Sequence, residues 1–167
     1  MSVDQQPLIV ILAAGKGTRM KSELPKVMHR IAGRSMIGHV LDVALQLQTP
    51  QIAVVVGPEM QDVVEEAKSI APHIQIFEQK HQLGTAHAVL SAEGSLQSAQ
   101  GPILILYGDT PLIQSQTLRS LCGSLKEREG VSVLGFEAKD PTGYGRLLLD
   151  KNGTLRAIRE QKEASLK

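Results

Sequence analysis

Aromatic side chains are scarce: two tyrosines, two phenylalanines and no tryptophan among 167 residues. Proteins that hold single-stranded nucleic acid stack its bases on such rings, so this composition argues against a stacking platform. The one cysteine, Cys122, cannot form an internal disulfide and suits a reducing compartment. Its setting, TLRSLCGSLK, reads as helix packing. Net charge is nearly absent, at +1 from 18 Lys and Arg against 17 Asp and Glu. No general attraction to polyanions or membrane surfaces follows, and any basic site must be local. No apolar run approaches the ~20 residues of a membrane span. The N-terminal MSVDQQPLIVILAAG also lacks the cationic start of a secretory leader. The expectation is a cytoplasmic protein with no nucleic-acid and no membrane partner.

Present in their place are short apolar runs alternating with amphipathic stretches. PLIVILAA (7–14) is nearly continuous in apolar residues and rich in β-branched ones, as a strand buried on both faces would be. IAVVV (52–56), IQIF (74–77) and PILILY (102–107) read alike. Between them, Met36, Ile37, Val40, Leu41, Ala44 and Leu45 recur at helical spacing, as do Met60, Val63, Val64, Ala67 and Ile70. Pro58 is placed for the first turn of that second helix and Thr85 for the cap of a third, TAHAVLSAEGSL; TPLIQSQTLRSLCGSLKERE supplies a fourth. Strand and helix alternating four times predict a Rossmann-like α/β fold, a mostly parallel sheet with helices on both faces. Beyond residue 138 the pattern changes to two strand-like runs around Asn152-Gly153, a C-terminal β-hairpin. No repeat or linker interrupts the chain, so one domain over 1–167 is expected.

In an open parallel sheet, ligands bind beyond the carboxyl ends of the strands. The least ordinary residues fall there: Gly15-Lys16-Gly17-Thr18-Arg19, Val56-Gly57-Pro58, Glu78-Gln79 with Gln82-Leu83-Gly84-Thr85, and Tyr107-Gly108-Asp109. The first group is not a P-loop, because Lys16 stands between its glycines. It is not a Rossmann fingerprint either, because Met20 replaces the third Gly or Ala. Its glycines still free backbone N–H groups for phosphate oxygens, and Arg19 and Lys26 add charge. A solvated glycine turn with surface lysines would look the same, so this stretch alone leaves both readings open. Asp109 in isolation reads as a turn or cap. Opposite a phosphate loop on the same rim, it is placed to hold Mg²⁺, which takes one or two carboxylates plus phosphates and water. His29, His39, His73, His81 and His87 lack zinc-ligand spacing, and His39 and His87 read as packing or surface positions on helices. No Ser/His/Asp or Cys/His signature occurs, which disfavours a covalent mechanism.

LAAGKGTRMKSELPKVMHRIAGRSMIGHV resembles the signature of sugar-1-phosphate nucleotidyltransferases. EQKHQLGTAHAV, YGDTPLI, and PTGYGRLL followed by IREQKEAS narrow the resemblance. Together they are similar to the uridyltransferase domains of bacterial bifunctional N-acetylglucosamine-1-phosphate uridyltransferases / glucosamine-1-phosphate N-acetyltransferases. The match keeps the family's order from Leu8 to Ser165.

The resemblance implies uridylyl transfer from UTP to N-acetylglucosamine-1-phosphate, with Mg²⁺ as cofactor. It implies that Leu12, Ala13, Ala14 and Gly15 floor the uridine and that Gly17, Thr18 and Arg19 surround the triphosphate. Lys26 would reach phosphate beside Arg19 as the second catalytic cation. Gln79 would meet the uracil edge with Gln82, Gly84 and Thr85 completing that wall. Tyr107 and Gly108 would face nucleotide and sugar, Asp109 would hold the metal, and Gly145 and Glu160 would contact the acetylamino sugar. Family members continue past the position of residue 167 with an Asn on the metal, another on the sugar, and an acetyltransferase β-helix. None has a counterpart in these residues. The expectation is a truncated nucleotidyltransferase domain and, without the β-helix, a monomer. A molybdopterin or other nucleotidyltransferase, and an inert nucleotide-binding fragment, remain as alternatives.

Overall fold

The computed structural model describes residues 6–15, 17, 20–125, 130–161 and 163. Two compact units divide it, Met1–Val131 and Ser132–Lys167.

The first unit starts from strand β1 (Leu8–Leu12), followed by a 3₁₀ turn at Lys26–Met28. A small antiparallel hairpin, β2 (Arg30–Ile31) with β3 (Arg34–Ser35), leads into helix α1 (Met36–Leu45). Its two-residue turn places Ala32 at φ +51° and Gly33 at φ +81°. Both torsions are those of a tight hairpin turn, yet Ala-Gly is a weaker signal than Asn-Gly, and the sequence pattern did not announce this hairpin. Then come β4 (Ile52–Val56), α2 (Gln61–Ile70), β5 (Gln75–Glu78), α3 (Thr85–Leu90), α4 (Glu93–Gln97), β6 (Ile103–Tyr107) and α5 (Ser115–Gly123).

The four long strands pair in the order β5-β4-β1-β6, all parallel. Alternate residues of β1 serve opposite faces. Ile9, Ile11 and Ala13 join a cluster with Ile37, Val40 and Leu41 of α1, Val63 and Ala67 of α2, and Leu118 and Cys122 of α5. Leu8 and Val10 join Ala88 of α3 and Ala92 on the other face, with Leu96 of α4 packed against them. Helices therefore cover both sides, as the alternation predicts. Burial also pushes the Cys122 thiol above its ordinary pKa, which suits a packing role.

Not every apolar run is buried on both faces. All five residues of β4 are buried, but β6 alternates: Leu104 and Leu106 are buried, while Ile103 and Ile105 are each 43 % exposed. β5 is also partly exposed. Both are edge strands, so the expectation of complete burial holds only for the two central strands.

Two smaller expectations also need correction. α2 begins at Gln61, so Pro58 lies in the turn ahead of it and not in its first turn. Gly84, not Thr85, is the N-cap residue of α3, and the segment after it divides into two short helices. At α1 the cap is Ser35, whose Oγ accepts from Gly38 N at 3.1 Å and donates to Glu66 Oε1 of α2 at 2.6 Å. One serine thus ends a strand, starts a helix and ties that helix to its neighbour.

The second unit contains the expected hairpin, β7 (Arg146–Leu149) antiparallel to β8 (Leu155–Arg159). Its turn is built around Asp150, whose Oδ1 accepts from Asn152 N and Thr154 N and whose Oδ2 accepts from Arg156. These donors, the Thr154 and Asn152 N–H groups first, hold the Asp150 carboxyl below its ordinary range. Phe136 and Tyr144 meet edge to face, with ring centroids 5.1 Å apart.

Candidate functional site

Counting only the long strands, the sheet runs third, second, first, fourth. The direction of winding therefore reverses between β1 and β6, and such a switch point opens a crevice beyond the carboxyl ends. Gly108 N donates to Leu12 O at 2.9 Å, which carries the pairing one step past the end of β6. An added β-carbon at Gly108 would lie 3.1 Å from both Leu12 O and Val27 Cγ1, so the two strand ends and the 3₁₀ turn close tightly there.

Above this junction lies a cavity of about 280 Å³. Ten residues singled out from the sequence line it: Leu12, Ala14, Gly15, Lys26, Gln79, Gln82, Gly84, Thr85, Tyr107 and Asp109. Ala13 and Gly108 are buried and contribute backbone and packing beneath it. Val27 and Ala88 also line it and were not singled out; they are apolar positions that ordinary core patterning absorbs. Thr18 and Arg19 lie outside the described residues.

Each polar group arrives by its own local logic. Gly17, with φ +60°, bends the loop after β1 so that its α-carbon backs onto the Lys26 stem; an added β-carbon would stand 2.8 Å from Lys26 Cβ. Lys26 Nζ donates to Asp109 Oδ2 at 2.6 Å across 83 residues of sequence, with the two side chains 42 % and 30 % exposed. An exposed pair of that kind contributes on the order of 0.2–1 kcal/mol. It is a weak link that a phosphate and a cation could divide between them.

The opposite wall is made of amides. Gln79 N donates to Val56 O at 2.8 Å, extending the β4–β5 ladder and fixing the Gln79 backbone at the rim. The residue is 4 % exposed, and its Nε2 donates to Gly84 O at 3.1 Å and lies 3.2 Å from His87 Nδ1. Gln82 Nε2 donates to Ala14 O at 2.8 Å, which ties the loop after β5 to the loop after β1. His87, read from the sequence as a packing or surface residue, thus has a polar partner in the wall. Nothing in the sequence marks its contact with Gln79.

Gly145 and Glu160 belong to the second unit. They occupy the positions just outside the paired Arg146 and Arg159, so the hairpin register brings them together at one end. No helix among the described residues is long and apolar enough to cross a membrane.

The fold is shared with solved nucleotidyltransferases. It is similar to HddC from Yersinia pseudotuberculosis in complex with GMP-PN, with a TM-score of 0.67 and 19 % identity, covering 91 % of this chain and 68 % of that one. It is also similar to UDP-glucose pyrophosphorylase in complex with UDP-glucose, with a TM-score of 0.68 and 17 % identity over 93 % and 69 % of the two chains. In sequence, it is 52 % identical over 158 residues to the bifunctional protein GlmU of Azorhizobium caulinodans, and 50 % identical over 162 residues to that of Xanthobacter autotrophicus. Those alignments cover 95 % and 97 % of this chain but 35 % and 36 % of the relatives, so the chain spans about a third of their length. The family model for MobA-like NTP transferase domains matches residues 9–166, and the chain belongs to that nucleotidyltransferase family.

Proposed function

We propose that this chain binds UTP in the cavity at the β1–β6 switch point and transfers its uridylyl group to N-acetylglucosamine-1-phosphate, forming UDP-N-acetylglucosamine, a cell-wall precursor. On this reading residues 1–167 are part of one sugar-nucleotidyltransferase domain, acting as a cytoplasmic monomer. The observation that carries it is convergence. Lys26 and Asp109 meet at 2.6 Å in the same cavity that Gln79, Gln82, Gly84 and Thr85 line from the other side. Identity of about half to relatives named bifunctional protein GlmU supports the choice of nucleotide and sugar over a molybdopterin substrate.

The chemistry asks little of the protein beyond position and charge. A sugar-1-phosphate, with a second pKa of about 6, is mostly dianionic near neutrality and needs no general base. Its oxygen forms a bond to the α-phosphorus of UTP while the bridge to the β-phosphorus breaks, and pyrophosphate leaves with the electron pair. Among the described residues no Ser, Cys or His lines the cavity, in keeping with direct displacement. Lys26 meets the phosphates as a point charge and Arg19 as a planar fork, and Gly17 and Thr18 are the further proposed contacts around the triphosphate. Leu12, Ala13, Ala14 and Gly15 floor the nucleoside, Gln79 reads the uracil edge, and Tyr107 and Gly108 face nucleotide and sugar. Gly145 and Glu160 are the proposed contacts to the acetylamino group.

Magnesium dependence belongs to the same proposal. Among the described residues Asp109 is the only carboxylate lining the cavity, and no three His, Cys, Asp or Glu side chains gather as a metal cluster. One carboxylate suits Mg²⁺, which keeps waters and takes phosphate oxygens, and does not suit a closed zinc site. Asp109 would hold the ion, which when bound offsets charge on the reacting phosphates.

Thermal shift tests the nucleotide. UTP with Mg²⁺ at a hundred times its Kd should stabilise by about 2.7 kcal/mol, raising Tm by roughly 5–10 °C, while GTP leaves it unchanged. Stabilisation by GTP and not by UTP would overturn the uridylyl assignment. Pyrophosphate release that requires N-acetylglucosamine-1-phosphate tests the acceptor.

A further inference from the structure

Gln79 is set up to read a base, but an amide is an ambiguous reader. Rotated by 180°, its donor and acceptor exchange places. In one orientation it accepts from the N3–H of uracil; in the other it donates to the bare N3 of cytosine. An unrestrained glutamine would therefore serve UTP and CTP alike.

Here the amide is restrained from two sides. Gly84 O lies 3.1 Å from one amide terminus. A carbonyl oxygen repels another oxygen at that distance, so this terminus is the nitrogen. The nitrogen's second hydrogen points to His87 Nδ1 at 3.2 Å. That contact requires Nδ1 to accept, which places the imidazole proton on Nε2. Both hydrogens of Gln79 Nε2 are then committed, and Oε1 has no donor among the described residues. The residue lines the cavity, so Oε1 is the group its amide offers a ligand.

We propose that His87 is a positioning residue that locks the Gln79 amide with Oε1 toward the base, so that the site selects a pyrimidine bearing N3–H over one bearing a lone pair there. This inference rests on the nucleotide reading of the cavity given above, and it assigns to that cavity its uracil-over-cytosine preference. His87 touches no ligand itself. Its place on the first turn of α3 follows from Gly84, whose φ of +100° turns the chain into the helix and whose carbonyl also accepts from Ala88 N at 3.1 Å. One short turn thus carries both restraints on the amide.

The test compares the affinities of UTP and CTP, each with Mg²⁺, by calorimetry on the 167-residue chain. In the unaltered protein UTP should bind at least tenfold more tightly, the scale of one well-placed base contact, which contributes about 1–3 kcal/mol of discrimination. His87→Leu removes the acceptor and should lower the UTP:CTP ratio about tenfold. His87→Ala is the second deletion, should the leucine variant not fold. His87→Asn returns a side-chain oxygen close to the Nδ1 position and should restore the ratio; a purely structural role would not be rescued in that way. An unchanged ratio in the deletion variants, or equal loss in the deletions and His87→Asn, overturns the lock while leaving UTP binding in place. Binding of neither nucleotide by the unaltered protein overturns the nucleotide reading and the lock together.

Discussion

Replacing Gly17 by alanine should cost stability and phosphate affinity together. Gly17 sits at φ +60°, where a β-carbon meets its own backbone at a cost of about 1–2 kcal/mol. The new carbon would also stand 2.8 Å from Lys26 Cβ and 3.4 Å from Lys26 Cα. Neither atom is the mobile end of the lysine, so the 3₁₀ turn that carries it must move, and overpacking of this sort costs about 1–3 kcal/mol. Together the two terms amount to roughly 2–5 kcal/mol, a large part of a typical stability of about 5–15 kcal/mol. Two neighbouring glycines separate the terms. At Gly84, with φ +100° and ψ 179°, nothing lies within 4 Å of an added carbon, so alanine there bears only the torsional cost, about 1–3 kcal/mol. At Gly15 the space is open and φ is not positive, so alanine should fall within about 0.5 kcal/mol of the parent. Urea unfolding at constant m-value measures all three, and titration with Mg–UTP should show the weakest binding for Gly17→Ala. Were Gly17→Ala no less stable than Gly84→Ala, the close approach of the loop to Lys26 would be refuted.

Asp109→Asn removes a partly exposed ion pair and should change stability by less than about 1 kcal/mol, yet abolish metal-dependent pyrophosphate release; a fully active variant would take Asp109 out of the metal site. Leu41→Ala empties a position of zero exposure where α1 packs on the sheet and should cost about 2–5 kcal/mol by urea denaturation. The Asp150 carboxyl titrates below its ordinary value of 3.8, so its support for the hairpin is fully present above that pH and is lost as the pH falls through the lowered folded value. The protection of the Asn152 and Thr154 amides, measured against the intrinsic exchange rate at each pH, should therefore fall in acid, and Asp150→Asn should show low protection already at neutral pH.

The strands and helices were legible because their signals are local. PLIVILAA and IAVVV are runs of consecutive residues, and a central parallel strand needs nothing more than an apolar side chain on each face. The helix faces of α1 and α2 follow from spacing within ten residues, and the rim position of the polar loops follows from alternation alone. Asn152-Gly153 marked the hairpin in the same local way, although the turn is organised by Asp150, whose acceptor role shows only in the folded backbone.

Residues distant in sequence came together only in the fold. The chain does not say that its fourth long strand pairs with its first, and that pairing brings Asp109 to Lys26 across 83 residues and makes β6 an edge with Ile103 and Ile105 half exposed. Nor does spacing show that Gly84, with its positive φ, caps α3 ahead of Thr85 and lends its carbonyl to Gln79. Periodicity is written in neighbouring residues, whereas strand order and side-chain partners depend on which surfaces are buried against each other. A sequence window therefore finds the elements and the rim, and the tertiary structure decides which charges and amides meet there.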